Sequence, residues 1–347
     1  MAVFDQALLL DRLRRTWRDG DRLALGWTAV RGALRVLMAE RRAFLDLCRA
    51  RPELWAERRY RDPATLRALA AELGAAARVV EVVVVGDADA PLHARMETLV
   101  ERFAIGLDPQ RTVALLDLVG FSKLGPLDQL TRLTALEQAL CRAEAALARA
   151  GFGVTATRTT TGDGFYVWDP DTTTAEPARL LALVLTTFVT FAAAGRRDGF
   201  DAGALKATLG IGACFTFHRI AAGTPRHDTF IVGAVTVETA RLMEACRPGQ
   251  ILLGTGPRHG RLDRWRGAIA RLNDALADAG AATGHRLEAE LTGSRDADGA
   301  SRLDRYTVRA KHGWTYPAVN VGARATAVDG KRATTVGLTA TPTGRAA

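Results

Sequence analysis

From Arg111 onward the chain alternates short apolar runs with long amphipathic stretches, and that alternation most constrains its fold. Runs of four to eight residues rich in β-branched side chains predict strands, and apolar spacing of three and four predicts helices. Strand "RTVALLDLV" is followed by helix "PLDQLTRLTALEQALCRAEAALARAG", which Gly151 closes. "FGVTATRTT" and "GFYVWD" predict two strands around a turn at Gly162-Asp163-Gly164. A buried helix through Leu180 to Ala194 comes next, then strands "ALKATLGIGACFTF" and "TFIVGAV". Helix "VETARLMEACRPG", strand "QILLG" and helix "RLDRWRGAIARLNDALADAG" lead to a closing hairpin, "LDRYTVRAKHGWTYPAVNV", turning near His312-Gly313.

Residues 1–108 predict a mostly helical region. "FDQALLLDRLRRTW", "VRGALRVLMAERRAFLDLCRA" and "PLHARMETLVERFAIGL" carry helical spacing, and "DPATLRALAAEL" opens with Asp62 as cap and Pro63 at the first helical position. "ARVVEVVVVG" is ambiguous, since valine favours strand while its flanks favour helix. From Gly322 the chain is small and polar, which predicts a flexible tail over 322–347. The expected regions are therefore 1–108, 109–321 and 322–347.

Composition narrows the function. The net charge is +9, which invites a nucleic-acid reading. Only four of the 47 basic residues are lysine, the arginines are interleaved with acids, and no zinc-finger or RNP-like spacing occurs. A small anionic ligand such as a nucleotide suits this charge better than a nucleic-acid polymer. Cys48, Cys141, Cys214 and Cys246 form no C-x-x-C pair and predict buried reduced thiols of a cytoplasmic protein. The six histidines lack zinc-ligand spacing. No signal-peptide plan precedes Asp5, and the Leu180–Ala194 run is short for a bilayer, so no membrane partner is expected.

Two aspartates carry the chemistry. Asp117 interrupts the apolar strand "VALLDLV", where a carboxylate is costly without a partner. Asp163 sits between two glycines, which alone reads as an ordinary hairpin turn. If the two strands are neighbours, both carboxylates converge, and a divalent cation would relieve their repulsion. Magnesium or manganese, bound together with phosphate oxygens, suits such a hard oxygen set. The turn Gly120-Phe121-Ser122 leads toward a helix, so its amides can cradle a phosphate.

"VALLDLVGFSKL", "TTTGDGFYVW", "LGIGACFTF" and "FIVGAVTVETARLMEACRPGQILLG" resemble, in order and spacing, the class III nucleotidyl cyclases over roughly Arg111 to Gly254. The resemblance implies an α/β (α+β) fold, a ferredoxin-like domain with a mainly antiparallel sheet. It implies conversion of a nucleoside triphosphate to the 3′,5′-cyclic monophosphate plus pyrophosphate, in a homodimer with shared sites. By position, Asp117, Asp163 and the Leu118 carbonyl resemble the ligands of two divalent cations. Arg241 matches the arginine that stabilises transition-state charge, although alone it reads as a surface residue on a helix. Lys311 stands where such enzymes offer a cation to the triphosphate.

The departures set the base. Val237 replaces the family's asparagine four residues before the arginine, and Thr159 and Phe230 replace the purine-reading pair. With Val232 these residues form the expected base pocket. The chain then most resembles the uridylate and cytidylate cyclases of Pycsar antiphage defence, which implies UTP or CTP as substrate and a separate effector protein for the product. A purine cyclase with atypical base contacts and a catalytically dead nucleotide-binding or dimerisation domain are the alternatives.

Overall fold

The computed structural model describes residues 3–30, 32–56, 58–85, 90–170, 176–198, 203–220, 227–256, 260–276, 285–295, 301–309, 313–327 and 333–336. It divides into two compact units. Unit one is 1–109 with 214–232, and unit two is 110–213 with 233–347.

Unit one holds β1 (Val3–Phe4), α1 (Gln6–Trp17), β2 (Arg22–Val30), β3 (Ala33–Glu40), α2 (Arg41–Ala50), α3 (Glu53–Ala56), α4 (Pro63–Leu73), β4 (Ala77–Val85) and α5 (Ala90–Glu101). Its sheet has the order β1-β4-β3-β2 and is antiparallel throughout. The expectation of a mostly helical region is corrected here: "VRGALRV" turns a hairpin, with Val30 opposite Ala33 and Gly32 at φ +78°. The cause of the misreading is burial on both faces. Leu34, Val36 and Met38 pack with α1 and α5, while Leu37 and Ala39 pack with α2 and α4. A strand apolar on both faces loses its period of two, and Leu34, Leu37 and Met38 mimic a helical stripe. The ambiguous "ARVVEVVVV" is β4, with Val80, Val82 and Val84 buried and Val79 and Val83 exposed. Asp62 caps α4 through the Ala64 and Thr65 amides, as its sequence predicts.

Unit two opens with β5 (Ile105–Leu118, entered from unit one), α6 (Pro126–Arg149), β6 (Thr157–Thr160), β7 (Gly164–Trp168) and α7 (Glu176–Asp198). It continues with β8 (Leu205–Ile220), which runs into unit one from Cys214; β9 (His227–Gly233) lies in unit one up to Val232 and leads back to α8 (Ala234–Ala245), β10 (Ile251–Gly254) and α9 (Arg261–Leu276). The strands β11 (His285–Leu291), β12 (Gly293–Arg295), β13 (Ser301–Leu303), β14 (Arg305–Arg309), β15 (Thr315–Ala327) and β16 (Ala333–Val336) complete it.

The main sheet runs β11-β15-β10-β8-β5-β7-β6, with β14 and β16 on β15 and β9 on β8. β10 pairs parallel with β8, and the other registered pairs of this sheet are antiparallel. The fold is thus mixed α/β with a mainly antiparallel sheet. One sheet face packs Ala114, Leu116, Leu118, Phe165 and Val167 against α6, α7 and α9. Leu180 to Leu185 are all buried there, and each such leucine contributes about 2 kcal/mol relative to exposure. The opposite face carries Leu115, Leu252 and Ala318 under Leu242 and Met243 of α8. Among the described residues Pro177–Ala194 is the helix segment long and apolar enough to cross a membrane, and 78% of it is buried inside the protein.

Two further expectations are corrected. The tail expected to be flexible from Gly322 continues β15 to Ala327, and β16 pairs with it. Val319, Val321, Ala323 and Ala325 alternate into the core, and alanine is too small to advertise that face in the sequence. Residues 337–347 of that tail lie outside the described residues. Cys141 is exposed, not buried. It lies on the outward side of α6, whose inward side is Ala139, Leu140 and Ala143, and Arg158 Nη2 reaches its Sγ at 3.1 Å.

Candidate active site

The β5–β7 register builds the site. Asp117 lies opposite Gly164, so Asp163 is its diagonal neighbour just before β7. The Leu118 amide donates to the Asp163 carbonyl at 2.9 Å and locks the two ends together. The Leu118 side chain is buried in the core, so only its backbone can serve the site. Gly164 is required by close approach. A Cβ there would stand 1.9 Å from the Leu116 carbonyl oxygen. Gly164→Ala is therefore expected to cost about 3 kcal/mol, measured as a lowered Tm, and to displace Asp163. An unchanged Tm would contradict this geometry. Gly162, at φ +102°, supplies the left-handed turn that precedes Asp163.

Asp117 has a partner that the sequence did not announce. Lys206 on β8 places its Nζ 2.8 Å from the Asp117 carboxylate, with side chains 21% and 15% exposed respectively. Burial pushes the Asp117 carboxyl above its usual range, Lys206 pulls it back, and the neighbouring Asp163 pushes it up again. Two carboxylates and one ammonium thus share a half-buried corner. Asp163 accepts from the Thr161 hydroxyl at 3.3 Å. A signal for Lys206 did exist. In "ALKATLGI" the residues Leu205, Ala207, Leu209 and Ile211 face the core, which leaves Lys206 on the face of Asp117. A chain that uses arginine almost everywhere also keeps one of its four lysines at this point.

The expected phosphate turn lies beside this corner. Gly120 adopts a left-handed conformation at φ +71° and precedes the 3-10 turn Phe121–Lys123. The amides of Lys123 and Leu124 are taken by the carbonyls of Gly120 and Phe121, so those of Phe121 and Ser122 lead the turn. Gln129 Nε2 on α6 donates to the Phe121 and Leu124 carbonyls at 3.2 Å and fixes the turn. A cleft of about 580 Å³ runs between Phe121, Gln129 and Leu130 on one side and Thr161, Gly162 and Asp163 on the other. That volume accommodates a nucleotide.

The remaining expected residues are spread more widely. Thr159 lies opposite Tyr166, which lies opposite Leu115, so Thr159 shares the sheet face of Asp117. The Tyr166 hydroxyl donates to the Thr236 carbonyl on α8 at 3.1 Å, and Val237 beside it is 49% exposed. Tyr166 was missed in the sequence, where it reads as an ordinary strand aromatic. Glu238 next to Val237 is buried and paired with Arg261 of α9 at 2.8 Å, which anchors α8. Arg241 is 40% exposed and pairs with Glu244 on its own helix. Phe230 and Val232 belong to the β8–β9 hairpin segment of unit one, where Phe230 stacks on Phe217 at 5.3 Å. Lys311, and His312 of the expected hairpin turn, lie outside the described residues, although β14 and β15 pair as that hairpin requires.

The donor set fits hard cations. Among the described residues no three His, Cys, Asp or Glu side chains gather. A metal ion here would draw on two carboxylates, one carbonyl, water and the oxygens of a phosphate ligand, the pattern preferred by magnesium and manganese.

No family model matches the chain, and no curated protein matches it. Among solved structures it is similar to the guanylyl cyclase Cya2, at 16% identity over 62% of this chain and 92% of that one, with a TM-score of 0.42. It is also similar to the adenylyl cyclase CyaB from P. aeruginosa, at 16% identity over 62% of this chain and 95% of that one, with a TM-score of 0.38. The guanylate cyclase domain of RhGC from Catenaria anguillulae in complex with GTP is 13% identical over 64% of this chain and 98% of that one, with a TM-score of 0.37. At these values the likeness carries no argument about chemistry, which has to come from this chain's own residues.

Proposed function

We propose that the chain is a nucleotidyl cyclase that converts a pyrimidine nucleoside triphosphate, UTP or CTP, to its 3′,5′-cyclic monophosphate and pyrophosphate. The observation that carries this reading is the convergence of Asp117 and Asp163 at the β5–β7 end, beside a glycine-led turn and a nucleotide-sized cleft. Two divalent cations, magnesium or manganese, would be held by Asp117, Asp163 and the Leu118 carbonyl, and would supply the Lewis-acid charge for the 3′-hydroxyl and the triphosphate. Lys206 opposes the burial that disfavours the Asp117 carboxylate and aims it before substrate arrives. The Phe121 and Ser122 amides receive phosphate oxygens, with Lys311 as a further cation. Arg241, tied to its own helix, serves the site of a second copy in a homodimer.

The base preference rests on what the site lacks. Thr159 offers one short hydroxyl, and Val237 offers no hydrogen bond. A polar purine edge against them would lose about 1–3 kcal/mol for each unsatisfied group. A pyrimidine leaves more space to fill. The Phe230 ring is already stacked within its hairpin, so Tyr166 on the same sheet face as Thr159 takes that part. By the motif resemblance, the enzyme acts in the cytoplasm and its product is an antiphage signal read by a separate effector protein. The test is to incubate the protein with each of the four triphosphates and manganese and resolve the products chromatographically. UTP or CTP should be cyclised fastest, and faster conversion of ATP or GTP would overturn the base assignment.

The Asp117–Lys206 pair favours a second reading, in which lysine takes the place of a metal and the domain binds nucleotide without turnover. Saturable UTP binding in EDTA, with no product from any triphosphate in manganese, would select it.

A further inference from the structure

Unit one carries an open pocket of about 570 Å³ that has no part in the proposed reaction. Trp17, Phe217 and Phe230 give it an aromatic wall, Arg41, Arg102 and Arg219 stand in its lining, and among the described residues no carboxylate lines it. Phe217 and Phe230 are stacked nearly parallel, at 19°. The Arg219 guanidinium lies 5.7 Å over the Phe230 ring and is paired with Asp228. Arg41 donates its Nε to the Gly20 carbonyl at 2.7 Å, which leaves its terminal nitrogens outside that bond. Arg102 is the informative one. It is partly buried just after α5 and, among the described residues, has neither an ion pair nor a hydrogen bond. The C-terminal end of a helix favours a cation there and spends none of its donors.

A cavity of this size, apolar in its walls and cationic in its lining, matches a ligand with both properties. Flat aromatic faces favour a planar ring, and guanidinium forks favour an oxyanion. We infer that this cavity binds a planar aromatic ring bearing a phosphate, with the ring against the aromatic wall and the phosphate on Arg102 and Arg41. Neither Asp117, Asp163 nor Lys206 lines it. The inference therefore stands or falls apart from the cyclase reading. A nucleoside monophosphate and a non-nucleoside aryl phosphate share this chemistry.

Isothermal titration of the full chain in EDTA distinguishes them, with UMP, AMP and 1-naphthyl phosphate as probes and uridine and inorganic phosphate as the separated halves. At least one of the three aromatic phosphates is expected to bind once per chain, more tightly than either half. Preference for a nucleotide over naphthyl phosphate identifies a nucleotide site, and the reverse identifies a general aryl phosphate site. Arg102→Gln should weaken binding about tenfold with Tm unchanged, Arg102→Glu should abolish it, and Asp117→Asn should bind as the parent does. The inference is overturned if none of the three aromatic phosphates binds, if inorganic phosphate binds as tightly as they do, or if both Arg102 variants bind as the parent does. Loss of binding in Asp117→Asn would place the ligand in the carboxylate site and overturn it equally.

Discussion

Asp117→Asn and Asp163→Asn are each expected to lower metal-dependent nucleotide turnover by about 10³-fold or more, while the protein stays folded. The size follows from charge. Each substitution would remove one anionic ligand from the proposed centre, which has to offset the triphosphate, and a lost ligand of this kind costs several kcal/mol of transition-state stabilisation, with about 1.4 kcal/mol for each factor of ten. Folding should survive because both side chains lie at the end of the β5–β7 pair, and the Leu118–Asp163 backbone bond does not need the carboxylates. Asp117→Asn also relieves a carboxylate that burial and Asp163 disfavour, although it costs Lys206 its partner. Rates from a coupled pyrophosphate assay, with circular dichroism as the folding control, check this. A variant with parental activity would remove its residue from the site.

The second large effect concerns assembly. Neither an Asp117→Ala chain nor an Arg241→Ala chain should turn over substrate alone, yet their mixture should. If Arg241 of one copy completes the site of another, a mixed dimer contains one intact site and one doubly damaged site. Random exchange makes half of the dimers mixed, so the mixture should recover about a quarter of the parental activity. The pairing of Arg241 with Glu244 on an exposed part of α8 leaves the arginine free to exchange partners at small cost, since surface pairs contribute about 0–1 kcal/mol. Absence of recovery after verified subunit exchange would count against a shared site.

The strand and helix alternation after Arg111 was legible because its strands are amphipathic or flanked by glycine, and its helices are long. The approach of Asp117 to Asp163 was legible for a related reason, since a carboxylate in an apolar strand demands company. What failed to show was contact-dependent. The β2–β3 hairpin is buried on both faces and carries no period of two. The outer half of β15 hides its buried face behind Ala323 and Ala325. Lys206 becomes meaningful only when β8 is known to lie beside β5. Phe230 is expected as a base reader by position in the chain, and only the folded chain shows that its ring stacks on Phe217 and lines the pocket of unit one. In each case the sequence states which residue is present, and the neighbour across the sheet states what it does.

The proposed site is one in which Asp117 and Asp163 together hold a metal ion and a nucleotide. Manganese binding measured by electron paramagnetic resonance, with and without UTP, tests it most directly. UTP is expected to strengthen manganese binding to the parent chain, and Asp117→Asn and Asp163→Asn are each expected to lose that gain. Equal manganese binding by the parent and both variants in the presence of UTP would contradict it.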